Sequence, residues 1–116
     1  LTLPRGMNLD ARQLSGGQQK VLEFGSCFMV PPRLALLDEP FAAVHPTMRQ
    51  IMADFVRKRH AEGQTFILVS HDMPIVMEHC PRTVCMDAGP VIADEATRLV
   101  LDDPVVIEAY LGGQAA

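Results

Sequence analysis

Four short stretches of this chain bring together residue types suited to phosphate chemistry. The first is Leu14-Ser15-Gly16-Gly17-Gln18, directly ahead of a helical pattern. Glycines let a backbone approach a ligand closely. The free N–H groups and positive end of a helix favour anions, and the Ser15 hydroxyl adds a donor. Alone, the same residues also spell an ordinary helix cap after a loop.

The second stretch, Leu36-Leu37-Asp38-Glu39-Pro40, is an apolar run that delivers an Asp and then a Glu. An Asp there can support Mg²⁺, usually through water. The next carboxylate can polarise an attacking water. The plainer reading is two solvated acids at a strand end. The third stretch is Ser70-His71-Asp72, after another apolar run. Its imidazole can hydrogen-bond a terminal phosphate, or it can be a simple loop histidine. The fourth, Phe41-Ala42-Ala43-Val44-His45-Pro46, is apolar where a polar loop is normal, which suggests burial against a partner.

The intervening elements must carry these residues to one place. Val21, Leu22, Phe24, Phe28 and Met29 predict a helix after Gly17, stopped by Pro31 and Pro32. Leu34–Leu37 and Phe66–Val69 are continuous apolar runs, as in parallel strands buried on both faces. Between them Met48, Ile51, Met52, Phe55 and Val56 predict a helix over 47–61, with Gly63 as its stop. That strand–helix–strand unit should cross over right-handedly. A short helix over 73–79 follows, then a hairpin of 83–86 and 91–93 around Asp87-Ala88-Gly89-Pro90. Two short helices over 96–101 and 104–111 complete an α/β layered fold. Ligands in such sheets sit at the carboxyl ends of strands, where Asp38, Glu39 and His71 fall.

Composition narrows the field. The chain has 116 residues, is 48% hydrophobic and carries a net charge of −4. This is globular chemistry without a basic stripe, so a nucleic-acid partner is disfavoured. No apolar run reaches membrane-spanning length. No signal peptide opens the chain, and a start at Leu1 without an initiator Met is consistent with a fragment. Three cysteines without a CxxC pair argue against a disulfide framework or zinc site and read as reduced core or near-core thiols.

Taken in order and spacing, the four stretches resemble the nucleotide-binding subunits of ABC transporters. The resemblance covers essentially the whole chain. In that family the order is signature, Walker B, D-loop and H-loop, here 14–18, 34–39, 41–46 and His71. "LSGGQQKVLEFG", "LALLDEPFAAVHPTMRQ", "ILVSHDM", "CMDAGPVIAD" and "DDPVVIEAYLGG" look most like the ATP-binding proteins of branched-chain amino acid importers.

The resemblance implies the C-terminal part of a P-loop NTPase fold, with parallel strands, flanking helices and a terminal hairpin. It implies a partial domain over 1–116. It further implies ATP and Mg²⁺, a second ATP-binding subunit, transmembrane permease subunits and a peripheral place on the cytoplasmic face of the inner (plasma) membrane. Ser15, Gly16, Gly17 and Gln18 would touch ATP held by the partner subunit. Asp38 would support Mg²⁺, Glu39 would be the general base and His71 the switch residue. Ala42, Ala43, Val44, His45 and Pro46 would cross the dimer interface.

The sequence departs from the family at several points. There is no G-x-x-x-x-G-K-[ST], and Lys20 and Lys58 sit in no such context. The chain alone should therefore bind ATP weakly and hydrolyse it little or not at all. Asn or Asp is usual where His45 stands, Gly where Ala43 stands, and Arg where Ser26 stands. Pro81 and Pro90 replace residues more often charged. One edge of the 65–70 strand should be uncovered, an aggregation risk. Alternatives are a related ATPase such as one powering lipopolysaccharide export, or a non-catalytic chain that only donates its signature face.

Overall fold

A computed structural model describes the backbone over residues 9–112 and side chains through Tyr110. The "LTLPRGMN" start and Gly113 of the final "LGG" lie outside the described residues. The chain forms two compact units, one through His71 and one from Asp72 onward.

In the first unit, a single 3-10 turn, Ala11–Gln13, leads into α1, Gly16–Ser26. β1, Leu34–Asp38, is followed by α2, Pro46–Ala61, and β2, Thr65–Val69. β1 and β2 pair in parallel, with Leu34 opposite Thr65 and Asp38 opposite Val69. Parallel neighbours need a long connection between them, and α2 provides it.

The core of this unit is largely aromatic. Phe28 stacks against Phe24, Phe55 and Phe66 at centroid distances of 5.1, 4.9 and 6.0 Å. These rings tie α1, α2 and β2 together. Met52 of α2 is fully enclosed, and Ala53 of α2 and Val21 and Phe24 of α1 are buried. Two sequence expectations need correction here. α1 ends at Ser26, before the prolines, because its last turn tightens through Phe28 N–H to Gly25 O and Met29 N–H to Ser26 O. Met29 is therefore carried off the buried stripe and is 82% exposed. Leu22, on the flank of α1, and Ile51, on the flank of α2, are also exposed.

The strands are not buried on both faces. Ala35 and Leu37 face the helices and are buried, but Leu36 is 71% and Val69 55% exposed. Side chains alternate along a strand, so one face is covered and the other is bare. Among the described residues, β1 and β2 pair only with each other, so the far edge of β2 is open.

α2 is well closed at both ends. His45 Nδ1 accepts from Thr47 N–H at 3.3 Å, and Pro46 takes the first turn, where a missing N–H costs nothing. Lys58, Arg59 and His60 in the last turn complement the helix dipole. Gly63 N–H reaches His60 O at 2.9 Å and Gln64 N–H reaches Arg59 O at 3.1 Å, a Schellman closure. It requires Gly63 at φ +99°. An added Cβ would meet no atom there, so Gly63→Ala tests backbone strain alone. The expected loss is about 1–2 kcal/mol, read from the urea midpoint of unfolding.

The second unit comprises α3 (Met73–His79), β3 (Arg82–Met86), β4 (Val91–Ala96), α4 (Thr97–Asp102) and α5 (Pro104–Gly112). β3 and β4 form the expected hairpin. Ala88 and Gly89 at its tip both take positive φ, which matches the twist of the paired strands. Arg82 holds Asp94 through two 2.8 Å hydrogen bonds across the hairpin. Thr97 is buried, donates to Cys80 O and bonds Thr83 at 2.8 Å. All three cysteines are free thiols, and Cys27 is exposed instead of near the core.

Candidate functional site

Parallel pairing brings the ends of β1 and β2 side by side, and their next residues inherit that closeness. Glu39 N–H extends the ladder by one bond to Val69 O at 2.8 Å. Glu39 then turns out at φ +45°, a conformation rare for a non-glycine residue. Its carboxylate points to the segment after β2. Glu39 Oε1 accepts from His71 N–H at 2.9 Å and lies 2.6 Å from His71 Nδ1. Oε2 accepts from Ser70 Oγ at 3.4 Å. Asp38, the last residue of β1, is exposed beside them.

The His71 side-chain hydrogen bond holds the Glu39 carboxyl below its ordinary value of 4.5, against a smaller opposing effect of burial. Glu39 is thus an ionised acceptor, 33% exposed, and His71 is 77% exposed. A depressed carboxyl stabilises the fold above the unfolded value and loses that contribution as pH falls through the folded one. The stability difference between the native chain and Glu39→Gln should therefore be largest at pH 7 and shrink below about pH 4.5. Thermal melts of both proteins at pH 7 and pH 3 measure it. A difference that stays constant between the two pH values contradicts the ionised pairing.

The glycine-serine turn is built as a reciprocal cap. Ser15 Oγ accepts from Gln18 N–H at 3.3 Å, and Gln18 Oε1 accepts from Ser15 N–H at 3.0 Å. Gln19 Nε2 donates to Ala11 O and Leu14 O, which fixes the approach to the helix. Ser15, Gly16 and Gln18 remain exposed. The cap reading and the ligand-facing reading of this turn are thus compatible. Gly17 is half-buried, and a Cβ there would lie 3.1 Å from Ala43 O. The start of α1 therefore packs directly on the loop that follows Glu39.

That loop differs from its sequence expectation. Phe41 and Val44 are buried within this chain, so its apolar character is explained by its own core. Val44 is not available to a partner surface. Ala43, His45 and Pro46 are exposed, and Ala42 is half-buried. Ala43 takes φ +58°, a position glycine fills without strain.

Lys20 was not legible as part of this site. Its Nζ donates to Glu39 O at 2.8 Å and to Ala42 O at 3.1 Å. The available signal was positional. Gly17, Lys20, Val21 and Phe24 form one helical stripe, so a lysine on it faces inward and needs inward partners.

Among the described residues no three His, Cys, Asp or Glu side chains come close enough to hold a metal ion together. A single exposed carboxylate such as Asp38 still suits Mg²⁺. That ion keeps several waters and takes one or two carboxylates plus substrate phosphates.

Comparison with known proteins finds likenesses in sequence and in fold. The family model described as ABC transporter matches residues 2–42. The chain is 36% identical over 106 residues to a probable branched-chain amino acid transport ATP-binding protein, LivG, of Methanocaldococcus jannaschii, covering 88% of this chain and 41% of that protein. It is 31% identical to the lipopolysaccharide export system ATP-binding protein LptB of Acidithiobacillus ferridurans, covering 87% and 42%. The crystal structure of a nucleotide-free ATP-binding cassette from an ABC transporter superposes with a TM-score of 0.75 at 33% identity, over 84% of this chain and 40% of that one. The chain therefore spans about two fifths of the length of these relatives. Residues 2–42 thus match the ABC transporter family, and most of the chain is similar to part of the ATP-binding proteins and ATP-binding cassettes of such transporters.

Proposed function

We propose that this chain supplies the signature, Walker B, D-loop and H-loop portion of the ATP-hydrolysing subunit of an importer for branched-chain amino acids. The observation that carries the reading is the hydrogen-bonded Glu39–His71 pair at adjacent strand tips, beside Asp38. ATP, when bound, would supply the phosphoryl group, and Mg²⁺ would supply charge neutralisation, with Asp38 as the residue that would hold it. Glu39 orients and polarises the attacking water, and His71 swings between Glu39 and the terminal phosphate. Ser15, Gly16, Gly17 and Gln18 donate from the helix start to ATP held by a second subunit. Ala42, Ala43, His45 and Pro46 lie at that dimer interface. The subunit works peripherally on the cytoplasmic face of the membrane, against permease subunits. No described helix is long and apolar enough to span a bilayer itself. The higher identity to the LivG protein favours the importer. The LptB likeness supports the second reading, an export ATPase.

The test is to join this chain behind the N-terminal part of the M. jannaschii relative and measure phosphate release from ATP. Hydrolysis by the assembled protein, with none from the chain alone, supports the reading. A folded assembly that binds no ATP rejects it. Uptake of leucine by vesicles carrying either class of permease separates importer from exporter.

A further inference from the structure

Three features meet under the loop that follows β1. Glu39 and Ala43 both sit in left-handed backbone, and neither is glycine. Such residues persist only where their surroundings over-determine them. Glu39 N–H to Val69 O at 2.8 Å ties the start of the turn to β2, but within the loop the backbone bonds are long: Ala42 N–H to Glu39 O at 3.2 Å and Val44 N–H to Phe41 O at 3.3 Å. A further restraint is an ammonium from another element. Lys20 Nζ, half-buried on α1, donates to Glu39 O at 2.8 Å and Ala42 O at 3.1 Å.

We propose that Lys20 is a positioning residue for Glu39. From α1 it clamps the two carbonyls that bracket the turn, fixes the left-handed Glu39 backbone, and so aims the Glu39 carboxylate at His71. The same helix begins with the Ser15 turn, only five residues earlier. A displacement of that turn therefore moves the Lys20 anchor and, with it, the carboxylate. Gly17, one turn before Lys20, lies close to the same loop, where an added Cβ would sit 3.1 Å from Ala43 O. The geometry suits an ammonium. Carbonyl lone pairs converge on one point charge with several donors, and charge-assisted bonds are the stronger kind. An apolar side chain of equal length fills the space and loses both bonds. Arginine keeps the charge and the reach.

The structural part of this inference stands without any assumption about activity, and its kinetic part rests on the function proposed above. Proton–nitrogen NMR of the whole chain at one fixed pH reads the His71 amide, which donates to Glu39 Oε1 at 2.9 Å, in the native protein, Lys20→Met and Lys20→Arg. Lys20→Met is expected to shift the His71 amide signal upfield as that hydrogen bond is lost, and Lys20→Arg to keep it at the native position. Circular dichroism checks that each variant is folded. Where Lys20→Met is not, Lys20→Gln, neutral and too short to bridge both carbonyls, takes its place. In the assembled subunit, Lys20→Met should lower kcat about 10- to 100-fold, with KM for ATP changed by less than about 2-fold and kcat rescued by arginine. A His71 amide signal at the native position in a folded Lys20→Met chain overturns the proposal. So does an unchanged kcat in an active assembly. If the assembly with Lys20 intact hydrolyses no ATP, the functional reading fails, and the His71 amide signal still decides the role of Lys20.

Discussion

Glu39→Gln in the assembled subunit is expected to lower ATP turnover by about 10²- to 10⁴-fold, the range that a positioned acid or base supplies. ATP binding should stay within a few-fold of native, because the substitution removes charge and leaves shape. The amide oxygen can still accept from His71 N–H, which reaches Glu39 Oε1 at 2.9 Å in the native chain. The turn that presents the side chain depends on backbone groups, Glu39 N–H to Val69 O and Lys20 to Glu39 O, so it should survive. What is lost is the anion that polarises water. Loss of kcat with unchanged binding is the signature of an interaction made in the transition state. Phosphate release in a single turnover, beside nucleotide binding measured by fluorescence, separates the two effects. Undiminished release would remove Glu39 from the role of base.

Phe28→Ala should be the most damaging single core change in the first unit, at about 3–5 kcal/mol. Phe28 contacts three other rings, from α1, α2 and β2, and is nearly enclosed. Removing it leaves a cavity that rings held by three separate elements cannot easily close. A chain of this size has a stability of only a few kcal/mol in hand, so the variant should be largely unfolded at 25 °C. Phe28→Leu should retain most of the packing. Urea unfolding followed by circular dichroism ranks the three proteins. A Phe28→Ala chain within 1 kcal/mol of native, on the order of the usual single-mutant effect, would show that the aromatic cluster does not hold the unit together. The consequence reaches the site. The cluster fixes α1 on the strands, and α1 carries both the Ser15 turn and Lys20.

Much of this was legible beforehand, and for identifiable reasons. β1, β2, α2 and α3 follow from apolar runs, helical spacing, and stops at Gly63 and Pro40. The closeness of Glu39 and His71 follows from a parallel pair whose strand ends must lie together. Other features were hidden because they depend on the partner of a residue, which periodicity does not reveal. The runs 34–37 and 66–69 look alike on both faces, yet Ala35 and Leu37 are buried and Phe66 packs on Phe28, while Leu36 and Val69 are exposed. The loop at 41–46 looked sticky because Phe41 and Val44 are apolar. Their burial beneath this chain's own loop is a tertiary outcome. Little in the sequence marks Lys20, because lysines are usually solvated and its two carbonyl partners lie 19 and 22 residues away. Met29 leaves the buried stripe because the tightened end of α1 breaks the helical period.

Assembling the full subunit as its Glu39→Gln variant with ATP and Mg²⁺, and solving that complex, asks the central question most directly. Ser15 Oγ and the Gly17 N–H should lie within hydrogen-bonding distance of the terminal phosphate of a nucleotide bound by the other copy, and His71 should approach a second nucleotide beside its own Asp38. A closed, nucleotide-loaded complex in which the Ser15 turn faces solvent, or in which residue 39 and His71 contact no nucleotide, contradicts the account.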